Sequence, residues 1–220
     1  ATFKERSQAI IDEYMRDHPV KRLQIGAGSS RRDGWLNTDI EPGAGLAYLD
    51  ASKQFPFDDG TFHYIFSEHV IEHLTYDEGK VMMAEAYRVL APGGKMRLST
   101  PNLARFIQLF DQNPSEEAKA YLKGKVEWHQ WPQDANRAAI ILNLQMSSWG
   151  HKFTYDPETL GGALTRAGFQ NVREFEENIS NDPYLRDLEA RVGGMFERWS
   201  DYETMTIEVE KPALVRSGTQ

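Results

Sequence analysis

The sequence predicts an α/β fold: a doubly wound, seven-stranded, mostly parallel sheet with a helical lid insertion. Three observations carry this. Short apolar runs bounded by Gly, Pro or Asp read as strands. They alternate with helix-period segments, which argues for a parallel sheet covered on both faces. A late pair of apolar runs has no helix between its members and marks an antiparallel strand at one edge. The 220 residues are enough for one sizeable core, so 1–220 is read as a single domain.

Residues 1–19 form a lead-in helix, with Phe3, Ile10, Ile11, Tyr14 and Met15 at helical spacing before Pro19. The segments "VKRLQI", "WLNTDI", "GLAYLD" and "FHYIFS" are the first four strands. "TYDEGKVMMAEAYRVLAPGG" opens with a capping box, Thr75 to Glu78, and is expected to remain helical until Pro92-Gly93-Gly94 stops it. "KMRLST" alternates as the fifth strand.

Residues 102–150 are too long for a simple crossover and read as a lid or substrate wall. They concentrate Trp128, His129, Trp131 and Trp149, which fit a small satellite core of the lid better than a stacking platform. Asp156 and Pro157 then cap "PETLGGALTRA", which ends at Gly168, and "NVREFE" and "TMTIEVE" close the sheet. Residues 211–220 are polar and unpatterned and read as a disordered tail.

Composition excludes several classes of function. With 40% hydrophobic and 26% charged residues, and no apolar run long enough to span a bilayer, the chain does not read as a membrane protein. The N-terminal stretch lacks the apolar core and cleavage site of a signal peptide, and there is no cysteine for disulfide or thiolate chemistry, so a cytoplasmic setting fits. A formal charge of −8 opposes the field of a polyanion, and the basic pairs Lys21-Arg22 and Arg31-Arg32 are too small to form a stripe. Bulk nucleic acid is therefore not an expected partner.

In an open parallel sheet, ligands lie beyond the carboxyl ends of the strands, where Gly26, Ala27, Gly28, Asp39, Asp50 and Ser67 all fall. A dinucleotide fingerprint would need a third Gly or Ala where Arg31 stands, and an acid about 20 residues after the first glycine. Asp39 follows Gly26 by only 13 residues, so any helix after the first strand is very short and a nicotinamide-dependent oxidoreductase is disfavoured. "HVIEH", residues 69–73, matches the H-x-x-E-H zinc-protease spacing. It opens directly from a buried strand and has no third ligand in a second helix, so no metal is expected.

The pieces "LQIGAG", "GWLNTDI", "LDASKQFPFDDGTFHYIFSEHVIEHL", "EAYRVLAPGGKMRLSTPN" and "GHKFTYDPETLGGALTRAGF", in this order, resemble class I S-adenosylmethionine-dependent methyltransferases of the type-11-like group. The resemblance covers roughly residues 20–110 and 149–210. It implies a Rossmann-like methyltransferase fold, with S-adenosyl-L-methionine as the cofactor and an oxygen or nitrogen of a small or sugar-bearing molecule as the acceptor. It further implies that the backbone of Gly26, Ala27 and Gly28 passes the methionine part, that Asp39 holds the ribose hydroxyls and that Ile40 lies against the adenine. Asp50 and Ala51 would recognise the adenine edge, and Ser67 would border the methionine moiety. One departure is Gln24, an amide where the family commonly has an acid two residues before the first glycine.

Methyl transfer needs alignment more than chemical machinery, because the sulfonium already activates the methyl group. For a hydroxyl acceptor a base near neutral pKa helps. His69, just past the end of the fourth strand, is the first candidate, and His151 in "WGHKF" the second. The principal alternative is a protein that binds the cofactor without catalysis, which Gln24 leaves open.

Overall fold

A computed structural model describes residues 2–41, 43–129, 137–189 and 197–214. Strands β1 (Arg22–Ile25), β2 (Leu36–Asp39), β3 (Ala47–Tyr48), β4 (Phe62–Glu68), β5 (Leu90–Pro101), β6 (Gln170–Phe175) and β7 (Thr204–Glu210) form one sheet in the order β3-β2-β1-β4-β5-β7-β6. The first five strands pair in parallel, and β7 runs antiparallel to both β5 and β6. The sheet has the order and mixed direction of the expected doubly wound α/β fold.

The helices begin where the local chemistry says they should. In α1 (Phe3–Asp17), Thr2 and Glu5 form a capping box, and α2 (Tyr76–Val89) has the expected box, with the Glu78 amide donating to Thr75 Oγ1 at 3.3 Å and the Thr75 amide to Glu78 Oε2 at 2.8 Å. In α6 (Pro157–Arg166), Asp156 Oδ1 accepts from the amides of Glu158 and Thr159, both at 3.0 Å. One face of each helix is apolar. Ile11 and Tyr14 of α1, Met82, Met83, Ala86 and Val89 of α2, and Leu160 and Leu164 of α6 share one core with Leu23, Ile25, Leu36, Ile65, Met96, Leu98 and Ile207 of the sheet. Burying each such large side chain contributes about 1.5–3 kcal/mol, which makes this layer the main stabilising element.

Four expectations are corrected. First, α2 ends at Val89, before Pro92. Leu90 is already extended (φ −76°, ψ 134°), Ala91 precedes a proline and is driven out of the α region, and β5 therefore starts at Leu90. Second, β3 is two residues long rather than six. Third, no helix forms between β1 and β2: residues 26–35 make only turns, being too few to cross the sheet as a helix.

Fourth, among the described residues the cover of the second face is not helical. The side chains alternating with the apolar set of β1, β4 and β5 point to this other side. There Trp35, Phe66, Leu185 and Leu188 cluster with Tyr64 under residues 176–189, a stretch of turns and irregular backbone.

Residues 102–150 contain α3 (Leu103–Gln108), α4 (Glu116–His129) and α5 (Arg137–Ser147). With α7 (Glu197–Glu203) they make a satellite core of Phe106, Leu109, Ala118, Tyr121, Ala138, Ile141 and Tyr202, against which Trp199 packs. Such a core was expected, but Trp149 is not in it and is 57% exposed. Trp131, the side chains of Trp128 and His129, and residues 215–220 of the tail lie outside what is described. Among the described residues no helix is long and apolar enough to cross a membrane.

Candidate functional site

The ends of β1, β2 and β4 and the turn after β3 surround a cavity of about 480 Å³. Gly26 lines it from β1, Asp39 and Ile40 from β2, Asp50, Ala51 and Ser52 from beyond β3, and His69, Val70 and His73 from beyond β4. This is the position where an open parallel sheet offers its crevice. Six of the sequence-derived candidates, Gly26, Asp39, Ile40, Asp50, Ala51 and His69, meet here. Ala27, Gly28, Ser67 and His151 are not among its lining residues.

Both glycines after β1 have positive φ, +70° at Gly26 and +50° at Gly28, which a side chain would strain. Their surroundings differ. A Cβ on Gly26 would lie 2.1 Å from Val70 Cγ2, so this glycine is needed by the protein's own packing, whereas a Cβ on Gly28 would meet nothing within 4 Å. Ala27 between them is buried and its amide donates to the Thr38 carbonyl at 2.9 Å.

Asp39 ties this loop to β2: Oδ2 accepts from the Gly28 amide at 2.8 Å and Oδ1 from the Glu41 amide at 2.9 Å. A carboxylate has about four acceptor sites, so capacity remains on the cavity side. Asp50 Oδ1 accepts from both the amide (2.9 Å) and hydroxyl (2.6 Å) of Ser52, a local turn that orients its carboxylate. Ile40 is 55% exposed at the cavity edge. Ser67 is buried and its hydroxyl has no hydrogen-bond partner among the described residues. Gln24 is also buried, and its Nε2 donates to the Ser30 carbonyl at 2.9 Å, bracing the glycine loop from below.

His69 has φ +51°, a left-handed conformation uncommon outside glycine. Its Nδ1 lies 2.9 Å from Glu72 Oε1, and Nε2 lies 3.3 Å from Thr204 Oγ1 at the start of β7. Glu72 is fully buried in the 3-10 turn Ile71–His73, and its Oε2 accepts from Thr100 Oγ1 at 3.1 Å. Burial pushes the Glu72 carboxyl upward, but the closeness of the His69 and His73 imidazoles outweighs it and holds the group below the usual glutamate range. The buried carboxylate lies beside Nδ1 without hydrogen-bond geometry, so its negative charge favours a proton on that nitrogen and leaves Nε2, within reach of the Thr204 hydroxyl, as the acceptor of the ring.

His151 returns to the same region, with Nδ1 2.8 Å from the Gln145 carbonyl. Burial holds its pKa below the usual histidine value.

His73 and Lys152 line the cavity as well. His73 is the second histidine of "HVIEH", and Lys152 Nζ reaches Glu78 Oε2 at 3.3 Å across the cavity rim. Thr204 also lines a second hollow, of about 600 Å³, with Arg105, Glu117, Glu174, Glu176 and Asp201. Neither Lys152 nor Thr204 shares a local motif with the strand ends.

Residues 24–98 match the family model described as a methyltransferase domain. No curated protein matches the chain. Among solved structures it is similar to an S-adenosylmethionine-dependent methyltransferase from Archaeoglobus fulgidus, with 14% identity, 96% of this chain and 95% of that chain covered, and a TM-score of 0.51. A protein from Bordetella parapertussis described as a possible exported protein aligns at 13% identity over 95% of this chain and 68% of that one, with a TM-score of 0.50. A Haemonchus contortus phosphoethanolamine N-methyltransferase 2 in complex with S-adenosyl-L-methionine aligns at 15% identity and a TM-score of 0.44. That alignment covers 94% of this chain but 52% of the other, so the chain spans about half its length.

Proposed function

We propose, from the match of residues 24–98 to the methyltransferase domain model, that the strand-end cavity binds S-adenosylmethionine and directs the methyl group in line to an oxygen or nitrogen of a small-molecule acceptor. The observation that carries this reading is the convergence of Gly26, Asp39, Ile40, Asp50 and Ala51 on one cavity that also opens onto His69.

The residues present fit the cofactor. Asp39 keeps acceptor sites for a diol, the space over Gly28 admits a ligand close to backbone, and Ile40 offers an exposed apolar surface to a flat ring. When bound, S-adenosylmethionine supplies a methyl group already activated by a positive sulfur, which the acceptor's lone pair displaces as S-adenosylhomocysteine. Asp39 and Asp50 anchor the adenosyl end, the Gly26–Gly28 backbone borders the methionine end, and His69 Nε2 takes the acceptor's proton while the Glu72 charge favours a proton on Nδ1.

Asp39→Ala is expected to weaken S-adenosylmethionine binding by about 1–3 kcal/mol, the value of charge-assisted hydrogen bonds lost to a buried ligand. Calorimetric titration of both proteins measures this, and an unchanged dissociation constant removes Asp39 from the site. The same titration with a nicotinamide dinucleotide is expected to give no binding; uptake of that compound instead contradicts the reading.

A further inference from the structure

We propose that Glu72, His73 and His151 form a binding site for a divalent first-row transition-metal cation of the zinc type, behind the part of the cavity wall that His73 lines. One ligand atom from each residue lies within 4.8 Å of the other two. The fold supplies what the "HVIEH" spacing lacked. His69 and His73 do not share a helix face, because His69 is left-handed and a 3-10 turn follows, and the second imidazole comes from residue 151 instead.

The two segments are held together by backbone. The amides of Lys152 and Phe153 both donate to the Glu72 carbonyl, at 2.7 and 3.2 Å. Gly150 passes so close that a Cβ there would lie 3.6 Å from His73 Nδ1, and the His73 and His151 rings meet edge to face with centroids 5.0 Å apart. The outer partners of a metal site are also in place. His151 Nδ1–H donates to the Gln145 carbonyl, which directs the Nε2 lone pair outward, and Thr100 Oγ1 donates to the Glu72 carboxylate. Glu72 is 0% exposed, a depth at which a carboxylate needs a cation or protonated partner.

Two imidazoles and one carboxylate, with no thiolate in the chain, suit zinc, cobalt, manganese or ferrous iron better than the all-oxygen preference of calcium or magnesium. Three protein ligands leave coordination positions open, and His73 lines the cavity, so the site borders the space where an acceptor must lie. A cation there binds an acceptor oxygen and lowers the pKa of its hydroxyl, which selects hydroxyl over amine acceptors. This last step rests on the methyl-transfer reading; the cation site itself does not.

The test uses the full chain stripped with a chelator, then titrated with Zn²⁺ by calorimetry and with Co²⁺ by visible absorption. One cation per chain and a cobalt ligand-field band are expected. His73→Gln and His151→Gln should each weaken uptake by more than the roughly 10- to 100-fold that loss of an outer partner costs, while His63→Gln, an exposed histidine elsewhere, changes nothing. These variants leave the buried Glu72 intact, and circular dichroism checks their fold. Absence of uptake, or uptake unchanged in the His73→Gln/His151→Gln double variant, overturns the site. S-adenosylmethionine titrated into the same samples separates the two claims. A chain that binds the cofactor but no cation loses only the metal site, and one that binds the cation but no cofactor keeps the site and loses the acceptor assignment.

Discussion

His69→Asn is expected to lower turnover by about 10²- to 10⁴-fold, the usual contribution of a positioned general base, while S-adenosylmethionine affinity stays at the wild-type value. Asparagine is the informative replacement because it tolerates the left-handed backbone at φ +51°, so the variant removes the imidazole without forcing the turn. The expected size follows from the geometry. Nδ1 lies 2.9 Å from a fully buried carboxylate, whose charge favours a proton there and leaves Nε2 to receive one. Single-turnover formation of S-adenosylhomocysteine measures the effect, and a rate within a fewfold of wild type moves the base elsewhere.

Arg97→Met is expected to cost about 3–5 kcal/mol of folding stability by urea denaturation, because it strands a buried charge. Arg97 lies in the middle of β5 and is 0% exposed. Its Nη2 donates to Glu189 Oε2 at 2.9 Å, Nη1 to Glu208 Oε1 at 2.6 Å and to the Ile179 carbonyl at 2.8 Å, and Nη2 also to the Glu176 carbonyl at 3.1 Å. These bonds clamp residues 176–189 onto the second face of the sheet, where no crossover helix does the covering. Glu189 has further donors in Ser99 Oγ (2.9 Å) and the Asn178 amide (2.8 Å), but among the described residues no other cation bonds it. The double variant Arg97→Met/Glu189→Leu should recover much of the loss, since the fully buried carboxylate is removed with its partner and only Glu208, which reaches solvent, loses a cation. A single-variant cost under about 1 kcal/mol contradicts the clamp.

These two residues mark where the sequence was legible and where it was not. His69 could be singled out because a strand end is a local signal: the apolar run of β4 stops, and the next polar residues face the crevice. The same holds for Asp39 and Asp50, and for the capped starts of α2 and α6, where donor and acceptor are three residues apart. Arg97 reads as the solvent side of an alternating strand, because alternation reports two faces without saying what covers the second. Its partner Glu189 is 92 residues away. His151 and His73 are likewise joined only by the fold, and the missing β1–β2 helix shows only as a shortfall in spacing. The early end of α2 was legible in principle, from the restriction that Pro92 places on Ala91, but the apolar period ran past it.

The central claim is that one strand-end cavity holds the adenosyl group with its sulfur turned toward His69. A crystal structure of the chain with S-adenosylhomocysteine tests it most directly. The account predicts the ribose hydroxyls on the Asp39 carboxylate, the adenine between Ile40 and Asp50, and the sulfur facing His69. Density for the ligand in the Arg105–Asp201 hollow, or with its ribose away from Asp39, would contradict it.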